Sequence, residues 1–598
     1  MVFGWSRTNY CGEFTEEQIG KEVTAFGWAQ KTRDLGNLIF IDLRDRTGIV
    51  QLAFGDGTDR AIFADAASVR AEFVLAVKGT VRRRESVNTE IPTGQIEIFV
   101  TEMKILAKSA TPPFEVADNI KTGEMLRLQY RFLDLRRKEM QDALMMRHKI
   151  VKCAHDYYDD NGFLEVETPC LIKSTPEGAR DYLVPSRVHP GSFYALPQSP
   201  QLYKQLLMLS GCDRYMQIAR CFRDEDLRAD RQPEFTQIDM EMSFVEEEDV
   251  MTMNEGFVKY VFKKILDIDI ETPLRRMKYN EAMARYGSDK PDTRFGLEIQ
   301  DLSDLLAGCE FKVFAGALEN GKGSVRGINA KGAAAKFTRK EIDRLTELVK
   351  TYRAKGLAWT RLTPEGESSS YEKFLTEEEK NAIRERLGAE TGDVIFLVAD
   401  PRSDIVCTSL GQLRLALGNE LGLIPKDTFD LLWITEFPQF EWSDEENRWM
   451  AMHHPFTCPR PGDEDRLTTH PEDCYARAYD MVMNGCEVGG GSIRISDPVV
   501  QSKMFTGLGF SEEEAYRRFG FLLDSFKYGV PPHGGMAFGL DRLVMLMLKK
   551  DTIRDVIAFP KVQTATELMT QCPAEVEQKS LDELHIAVVL DDKDKTEE

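Results

Sequence analysis

The chain has 598 residues, 42% of them hydrophobic and 29% charged, which is enough for about three or four domains of ordinary composition. The formal net charge of −22 argues against non-specific nucleic-acid binding, although a local basic patch can still contact RNA. No apolar run reaches the length of a membrane span, and the first ten residues lack the apolar core of a signal peptide. The 11 cysteines include no Cys-x-x-Cys pair, which favours reduced thiols. A cytoplasmic location without a membrane partner is therefore predicted.

The first domain, residues 1–110, has the pattern of a small β-barrel. Strands are predicted at 23–31, 38–43, 48–54, 72–82 and 95–105, with a helix at 60–70. Five strands with a helix between the third and fourth are typical of an OB-fold. Such folds bind single-stranded RNA by stacking bases on aromatic side chains in a polar groove. Phe40 could be a stacking residue of this kind or an ordinary core residue.

A hinge at 111–138 begins with Pro112-Pro113 and ends in an arginine-rich stretch that could also be the start of an amphipathic helix. The next domain begins at 139–288, with a helix predicted at 141–160 and a strand at 163–167 that Thr168-Pro169 closes. Strands at 217–223 and 235–241 form a long-looped hairpin. Residues two apart on a strand share a face, so Arg223 would lie beside Glu225, and Asp239 beside Glu241. The hairpin is either a ligand site or a solvated surface element.

A different pattern occupies residues 289–426. Helices are predicted at 339–352 and 377–386, strands at 357–362 and 394–398, and a polar loop at 363–370. No catalytic constellation stands out there. The preceding domain resumes at 427–560 with a buried strand at 431–434 and three motif-bearing segments at 451–456, 479–494 and 531–543. Residues 561–598 are an extension with an acidic tail.

The segments of the second domain carry a resemblance to a known family. Phe222-Arg223-Asp224-Glu225, a loop, and then 235–239 resemble motif 2 of the class II aminoacyl-tRNA synthetases. The helix, strand and proline of 141–169 resemble motif 1, and 531–543 resemble motif 3. The run Gln-Ser-Pro-Gln-Leu-Tyr-Lys-Gln at 198–205 resembles the aspartyl enzymes. From Tyr10 to about Pro560 the chain is similar to the bacterial type of that family.

The resemblance implies an α+β multidomain fold: an N-terminal OB-fold barrel, and an antiparallel-sheet catalytic domain with an inserted α+β domain. It implies a homodimer built on motif 1. It also implies a ligase that activates L-aspartate with ATP and Mg²⁺ and transfers it to the 3′ end of tRNA-Asp. A form that charges both tRNA-Asp and tRNA-Asn, an asparaginyl or lysyl relative, and a non-catalytic RNA-binding paralogue are the alternatives.

The resemblance also implies a role for each residue that stands at a functional position of the family motifs. The catalytic residues would be Arg223, Glu225 and Arg542. ATP would contact Arg223, Asp224, Glu225, Gln232, Glu487, Gly539, Leu540, Asp541 and Arg542. Aspartate would contact Glu177, Ser199, Gln201, Lys204, Arg223, Asp239, His453 and Arg494. Mg²⁺ would be held by Asp480 and Glu487, because hard oxygen ligands suit that ion. His453-His454 lacks the further ligand spacing of a zinc site.

The predicted anticodon-binding residues are Lys31, Arg33, Leu35, Phe40, Gln51, Asn88 and Glu97. Lys31 stands where the family commonly has arginine, and Val87 stands where lysine is expected. Leu35 resembles the form that discriminates between the two tRNAs, and Val87 leaves the choice open. Cys486 replaces an expected aromatic residue before Glu487.

Overall fold

The computed structural model describes residues 4–175 and 179–590, and these form two compact units. One unit comprises residues 4–148, 227–232 and 552–576. The other comprises residues 149–226, 233–551 and 577–590. The predicted aspartate-binding residue Glu177 and the acidic tail from 591 onward lie outside the described residues.

The first unit contains a closed five-stranded barrel with the strand order β1-β2-β3-β5-β4. Its elements are β1 (Glu22–Asp34), β2 (Ile39–Asp45), β3 (Gly48–Phe54), α1 (Arg60–Ser68), β4 (Val74–Arg83) and β5 (Ile96–Ala107). Alternating residues such as Ile39, Ile41 and Leu43 are fully buried and fill the barrel. The predicted OB-fold, with its helix between the third and fourth strands, is confirmed.

The arginine-rich stretch of this unit forms a buried hydrogen-bonded cluster. The helices after the barrel are α2 (Glu124–Gln129), α3 (Arg131–Asp134) and α4 (Lys138–Asp160). Buried Asp134 accepts hydrogen bonds from Arg131 at 2.7 Å and from Arg137 at 2.8 Å. Arg131 also donates to the backbone carbonyls of residues 554, 557 and 558. These arginines therefore stabilise the folded unit, since each buried charge has hydrogen-bond partners within it.

The second unit is built on an eight-stranded sheet with the order β11-β17-β20-β21-β22-β10-β9-β6. Its interior pairs are antiparallel, and only the outermost pairs, β11–β17 and β6–β9, are parallel. The elements before the insertion are β6 (Leu164–Glu165), β7 (Leu183–Pro185), β8 (Phe193–Ala195), α5 (Gln201–Leu209), β9 (Arg214–Phe222), β10 (Glu234–Ser243), α6 (Glu247–Leu266), β11 (Arg275–Lys278) and α7 (Tyr279–Tyr286).

The inserted segment has its own sheet, ordered β12-β13-β16-β14-β15. Its elements are β12 (Gln300–Asp301), α8 (Lys312–Leu318), β13 (Ser324–Ala330), α9 (Arg339–Thr351), β14 (Ala358–Thr363), β15 (Gly366–Ser369), α10 (Glu377–Leu387), β16 (Val394–Asp400) and α11 (Ser403–Glu420). The prediction of a polar loop at 363–370 is wrong. Its polar residues form β15 on the sheet edge, where backbone pairing with β14 needs no apolar side chains.

The chain then returns to the eight-stranded sheet. The elements are β17 (Leu431–Thr435), β18 (Phe440–Ser443), β19 (Arg448–Ala451), β20 (Ala478–Met483), β21 (Cys486–Ile493), α12 (Pro498–Gly507), α13 (Glu512–Ser525), β22 (His533–Gly539), α14 (Leu540–Met547) and α15 (Gln578–Leu584). None of the helices in the described part of the chain combines the length and apolar content needed to cross a bilayer.

The predicted hairpin exists, but its first strand ends one residue early. Strand β9 ends at Phe222, so Arg223 and Glu225 lie in the following loop, and the period-two argument for their shared face is wrong. Asp239 and Glu241 do lie within β10, where the argument holds. Likewise, the strand predicted at 163–167 is reduced to Leu164–Glu165.

Candidate active site

Four buried charged side chains meet in the middle of the eight-stranded sheet. Lys204 on α5 donates to Asp239 at 2.6 Å and lies 3.2 Å from Glu241, and both acids are on β10. Arg494, just after β21, forms a two-pronged pair with Glu241 at 2.8 and 3.0 Å. We call Lys204, Asp239, Glu241 and Arg494 the pocket quartet. All four side chains are 4% exposed or less, so water does not screen their charges.

The two acids of the quartet are held differently. Burial raises the pKa of Asp239, and the charge of Lys204 offsets only part of that rise. Burial would also raise the pKa of Glu241, but Arg494 and Lys204 outweigh it and lower that pKa to about 2. Glu241 is therefore the fixed anion of the pocket. It lies so close to Gly535 on β22 that any side chain there would overlap its carboxylate.

Each of the two cations of the quartet has more N–H donors than the surrounding side chains use. An ammonium has three N–H groups, and those of Lys204 face Asp239 and Glu241. A guanidinium has five, and Arg494 directs four of them to Glu241, His454 and Ser492. Within residues 4–175 and 179–590, one N–H of each cation thus has no acceptor. Two such groups match the two oxygens of one carboxylate.

The sequence missed two residues of this cluster. The sequence predicted that Glu241 shares a face of the strand with Asp239, but no role was assigned to it. The two-residue spacing between these acids was the signal that could have identified Glu241 as a pocket residue. His454 contacts a nitrogen of Arg494 at 2.6 Å through Nε2. Burial holds the pKa of His454 well below its ordinary value, and the charges of Arg494, His453 and Lys204 lower it further.

The remaining predicted aspartate-binding residues lie around the quartet. Ser199 accepts the backbone N–H of Gln201 at 3.3 Å, at the start of α5. The side-chain Nε2 of Gln201 is buried and has no acceptor among the described residues. His453 packs its ring against Phe437 at 4.6 Å and lies 3.4 Å from Asp480. His453 therefore lies beside one of the two predicted metal ligands.

The predicted catalytic arginines lie outside the strands: Arg223 is in the loop after β9, and Arg542 is in α14, after β22. Arg223 is half-buried, with its guanidinium carbon 5.1 Å from the centre of the Phe235 ring. Asp224 bridges to Arg180 through backbone hydrogen bonding. Arg542, in the first turn of α14, donates to the backbone oxygen of Glu487 at 3.2 Å. Glu225 is half-buried in the same loop as Arg223.

Four predicted ATP-binding positions have internal roles. Asp541 is buried and accepts the backbone N–H of Thr236 at 3.1 Å, which joins α14 to β10. In the first unit, the side-chain amide of Gln232 makes two hydrogen bonds to the backbone of Lys561, at 2.8 and 2.9 Å. Gly539 and Leu540 form the junction between β22 and α14.

Asp480 on β20 and Glu487 on β21 form an acidic pair beside Gly490. A Cβ on Gly490 would overlap Oδ1 of Asp480 and lie 3.8 Å from Oε1 of Glu487. Burial raises the pKa of Asp480 well above its ordinary value, and the charges of Glu487 and Asp289 raise it further. Two hard oxygen donors that repel each other would suit a Mg²⁺ ion. Nowhere in the described ranges do three or more metal-ligating side chains cluster.

The predicted anticodon residues are partly linked in the barrel. Gln51 donates to Glu97 at 2.6 Å and accepts from Arg33 at 2.8 Å. Arg82, which was not predicted, also donates to Glu97, at 2.7 Å. Phe40 is half-buried on β2, with the guanidinium carbon of Arg33 5.8 Å from its ring centre. Phe40 is therefore not a fully buried core residue.

The other predicted anticodon positions are more open. Lys31 and Leu35 lie near the end of β1 and in the turn that follows it, and Leu35 is 69% exposed. Asn88 accepts the backbone N–H of Glu90 and shapes the loop between β4 and β5. Lys31 and Leu35 therefore leave their side chains available to a partner, whereas Asn88 is half-buried.

The neutral His454 predicts a pH dependence of stability. Because its folded pKa is lowered, the unfolded chain takes up a proton first as pH falls, so stability present above about pH 6.5 is lost below it. We expect the thermal midpoint of the wild type to drop between about pH 7.5 and 5.5, and that of His454→Asn to drop less. Calorimetry across this range tests it, with His470→Asn, an exposed histidine, as the control. Parallel curves for all three proteins would contradict the assignment.

Comparison with known proteins identifies the class that this fold and site define. Residues 123–563 match the family model of class II tRNA synthetases (D, K and N), and residues 23–106 match the OB-fold nucleic acid binding domain. The first match covers well over half of the chain. The chain belongs to the class II tRNA synthetases.

The chain is also similar over its length to individual members of this family that are named as aspartate–tRNA ligases. One is the aspartate–tRNA ligase of Ruminiclostridium cellulolyticum, 60% identical over 98% of this chain and 99% of its own length. Another is the aspartate–tRNA(Asp/Asn) ligase of Caldanaerobacter subterraneus, 56% identical over 98% of this chain and 99% of its own.

Solved structures share the fold at low identity. Asparaginyl-tRNA synthetase from Pyrococcus horikoshii complexed with asparaginyl-adenylate matches with a TM-score of 0.59 and 19% identity, over 94% of this chain and 98% of that one. Aspartyl-tRNA synthetase from Entamoeba histolytica matches with a TM-score of 0.58 and 19% identity, over 94% and 92%.

Proposed function

We propose that this protein is an aspartate–tRNA ligase that activates L-aspartate with ATP and transfers it to tRNA-Asp. The pocket quartet is the observation that supports this substrate choice most directly. Its cations are oriented by Asp239 and Glu241, and each retains one N–H for a further acceptor. A substrate side-chain carboxylate can accept both. The amide of asparagine would turn its own donors toward one cation, and the cationic side chain of lysine would be repelled.

The first step joins two anions. The α-carboxylate oxygen of aspartate attacks the α-phosphorus of ATP, the bond from that phosphorus to the bridging oxygen breaks, and pyrophosphate leaves. Positioning and charge stabilisation supply the catalysis. Arg223 would hold the carboxylate and the α-phosphate together with its planar fork. Glu225 would accept from the adenine amino group, and Arg542 would neutralise the γ-phosphate.

Asp480 and Glu487 would hold Mg²⁺, which supplies positive charge on the ATP phosphates. The proximity of the two acids and the raised pKa of Asp480 support this role, because a bound cation relieves their repulsion.

The second step transfers the aspartyl group. The 3′-hydroxyl of the terminal tRNA adenosine attacks the aspartyl carbonyl carbon, and AMP leaves. The barrel would read the anticodon with Phe40 as the stacking residue and the Gln51–Glu97 pair at the base edges. A cytoplasmic location is proposed as well, since tRNA is charged there.

A homodimer is also proposed. The helix and strand that resemble motif 1 leave apolar side chains in solvent, including Met145 at 39% and Leu164 at 58% exposure. Covering them with a second copy would remove this apolar surface from water.

A dual-specificity form is the second candidate, because a 56% identical relative is named for both tRNA-Asp and tRNA-Asn. Aspartate charging of purified tRNA-Asp and tRNA-Asn transcripts, side by side, tests both candidates. Charging of tRNA-Asp alone is expected, and charging of both would establish the dual form. If neither is charged while ATP binding is also absent, the protein is a non-catalytic paralogue.

Replacing Phe40 by Ala is expected to raise the KM for tRNA by about 10- to 100-fold, the usual worth of one stacked base. Aspartate-dependent ATP–pyrophosphate exchange without tRNA should stay unchanged, because the barrel takes no part in activation. Steady-state charging kinetics measure the effect. The control is Phe63→Ala, on α1, where the ring packs partly against the barrel core. An unchanged KM for tRNA in the Phe40 variant would assign its ring to packing alone.

A further inference from the structure

We propose that Phe99, with the guanidinium of Arg82 over its ring, is a second stacking site for an RNA base on the barrel, separate from Phe40. This inference rests on the tRNA recognition proposed above and deepens it, because it adds a binding position for one more unpaired base of the anticodon loop. The sequence motifs gave neither Phe99 nor Arg82 a role.

The register of the barrel strands places Phe99 in one cross-strand row with Phe40. Phe40 on β2 pairs with Ala53 on β3, and Ala53 pairs with Phe99 on β5. The neighbours of Phe99 along β5, Ile98 and Val100, fill the barrel core, so Phe99 faces outward. Directly paired residues share a face of the sheet, so the two aromatic side chains lie on the same surface. Both rings are half-buried, and the small side chain of Ala53 stands between them.

An arginine lies over the Phe99 ring and is held there by a buried acid. Arg82 on β4 pairs in register with Glu97, two residues before Phe99, so it reaches the ring diagonally. Its guanidinium carbon lies 4.4 Å from the ring centre. Its Nε donates to Glu97 at 2.7 Å, and the Glu97 side chain is only 5% exposed. The Arg82 side chain is 46% exposed, so the guanidinium is fixed in orientation and still open to solvent.

This arrangement repeats the one at Phe40. The guanidinium carbon of Arg33 lies 5.8 Å from the centre of the Phe40 ring, and the Arg33 side chain is 40% exposed. Arg33 donates to Gln51 at 2.8 Å, and Gln51 donates to Glu97 at 2.6 Å. Two aromatic rings with overlying arginines therefore flank one hydrogen-bonded pair, Gln51 and Glu97. Because Phe40 is the predicted stacking residue, the matching unit on β5 has the groups for the same chemistry.

The separation of the two rings requires two bases rather than one. Phe40 and Phe99 are two strand spacings apart, which is about 10 Å. Neighbouring nucleotides of a stacked strand advance by only about 3.4 Å. A strand that reaches both rings must therefore be unstacked, as single-stranded RNA loops are when proteins bind them. Aromatic rings and planar guanidinium groups both stack on such splayed bases.

Two other roles of Arg82 lead to different expectations. If Arg82 only neutralises Glu97, no RNA base depends on Phe99. If Arg82 binds an RNA phosphate, its charge matters and its plane does not, so lysine would replace it and Arg82→Ala would reduce the salt dependence of binding by about one phosphate contact. A stacking role needs the flat guanidinium, so Arg82→Lys would not restore binding.

The experiment measures the affinity of the full-length protein for the anticodon stem-loop RNA of tRNA-Asp, in which each loop nucleotide in turn is made abasic. Removing the base that stacks at Phe99 should weaken binding to the wild type by about tenfold or more, the usual worth of one stacked base. The same RNA change should cost Phe99→Ala almost nothing, because the ring is already absent. A different loop position should show this coupling to Phe40→Ala.

Two further variants complete the comparison. Arg82→Lys should bind the RNA about as weakly as Arg82→Ala, and since it removes no core atoms, the test does not depend on the folding of Phe99→Ala. The matched control is Phe26→Ala, because Phe26 is also half-buried and the guanidinium carbon of Arg7 lies 5.7 Å from its ring centre. Phe26 lies about 23 Å along β1 from Arg33, so its removal should leave the affinity within about twofold of the wild type.

Three results would overturn the inference while the proposed function stands. In the first, the wild type binds the stem-loop but no loop position is coupled to Phe99. In the second, the position coupled to Phe99 is the one coupled to Phe40, so the two rings form one site. In the third, Arg82→Lys recovers full affinity, so charge alone accounts for binding. A wild type that binds the stem-loop of neither tRNA-Asp nor tRNA-Asn would refute the proposed tRNA recognition together with this inference.

Discussion

Replacing Arg223 by Ala is expected to lower aspartate-dependent ATP–pyrophosphate exchange by about 100- to 1000-fold, the effect of removing one donor aimed at developing charge. The half-buried guanidinium lies over the Phe235 ring, beside the ends of β9 and β10. Its loss removes the one planar group proposed to hold both reacting anions. A lysine at this position would present a point charge instead of a planar fork, so Arg223→Lys should remain well below the wild type.

Arg220→Ala is the matched control for Arg223→Ala. Arg220 lies on β9, is 45% exposed, and pairs with Glu234 and Thr236 away from the quartet. Its removal should change exchange by less than about twofold, as for most surface ion pairs. An Arg223→Ala protein with near-normal exchange would rule out the proposed role.

Replacing Lys204 by Met is expected to have two effects. The KM for aspartate should rise by about 100-fold or more, because a charge-assisted contact to the substrate carboxylate is lost from a buried site. The fold should also lose about 3–5 kcal/mol, because Asp239 is left as a buried acid without its cation. The KM for ATP should change little. Exchange kinetics and thermal unfolding measure the two effects.

A double variant separates binding from stability. Lys204→Met with Asp239→Asn removes both members of the pair, so the uncompensated charge disappears and much of the stability should return. The affinity for aspartate should remain low, since the cation is still missing. If the single variant weakened ATP and aspartate equally, Lys204 would be a structural residue rather than a specificity residue.

Much of the barrel was readable from the sequence. Strand β3 was predicted at its observed bounds, and the other four barrel strands overlap their predictions. The physical reason is local: alternating residues such as Ile39, Ile41 and Leu43 mark one buried face without knowledge of distant neighbours. Strands at the edge of a sheet were harder to predict from the sequence. Strand β15 has no apolar alternation, and its pairing with β14 is set by the backbone and the neighbouring sheet.

For the candidate site too, some features could be predicted from the sequence and others required the tertiary structure. The sequence by itself determined the family motifs and most residue types of the site, because Arg223, Lys204, Asp239 and Arg494 stand in recognisable runs. Only the tertiary structure decided that Glu241 and His454 hold Arg494, which comes from 253 and 40 residues away along the chain. It also decided that Asp541 uses its carboxylate to accept from the backbone of Thr236. A buried charge is defined by its partners, and those are brought together by strand order rather than by spacing.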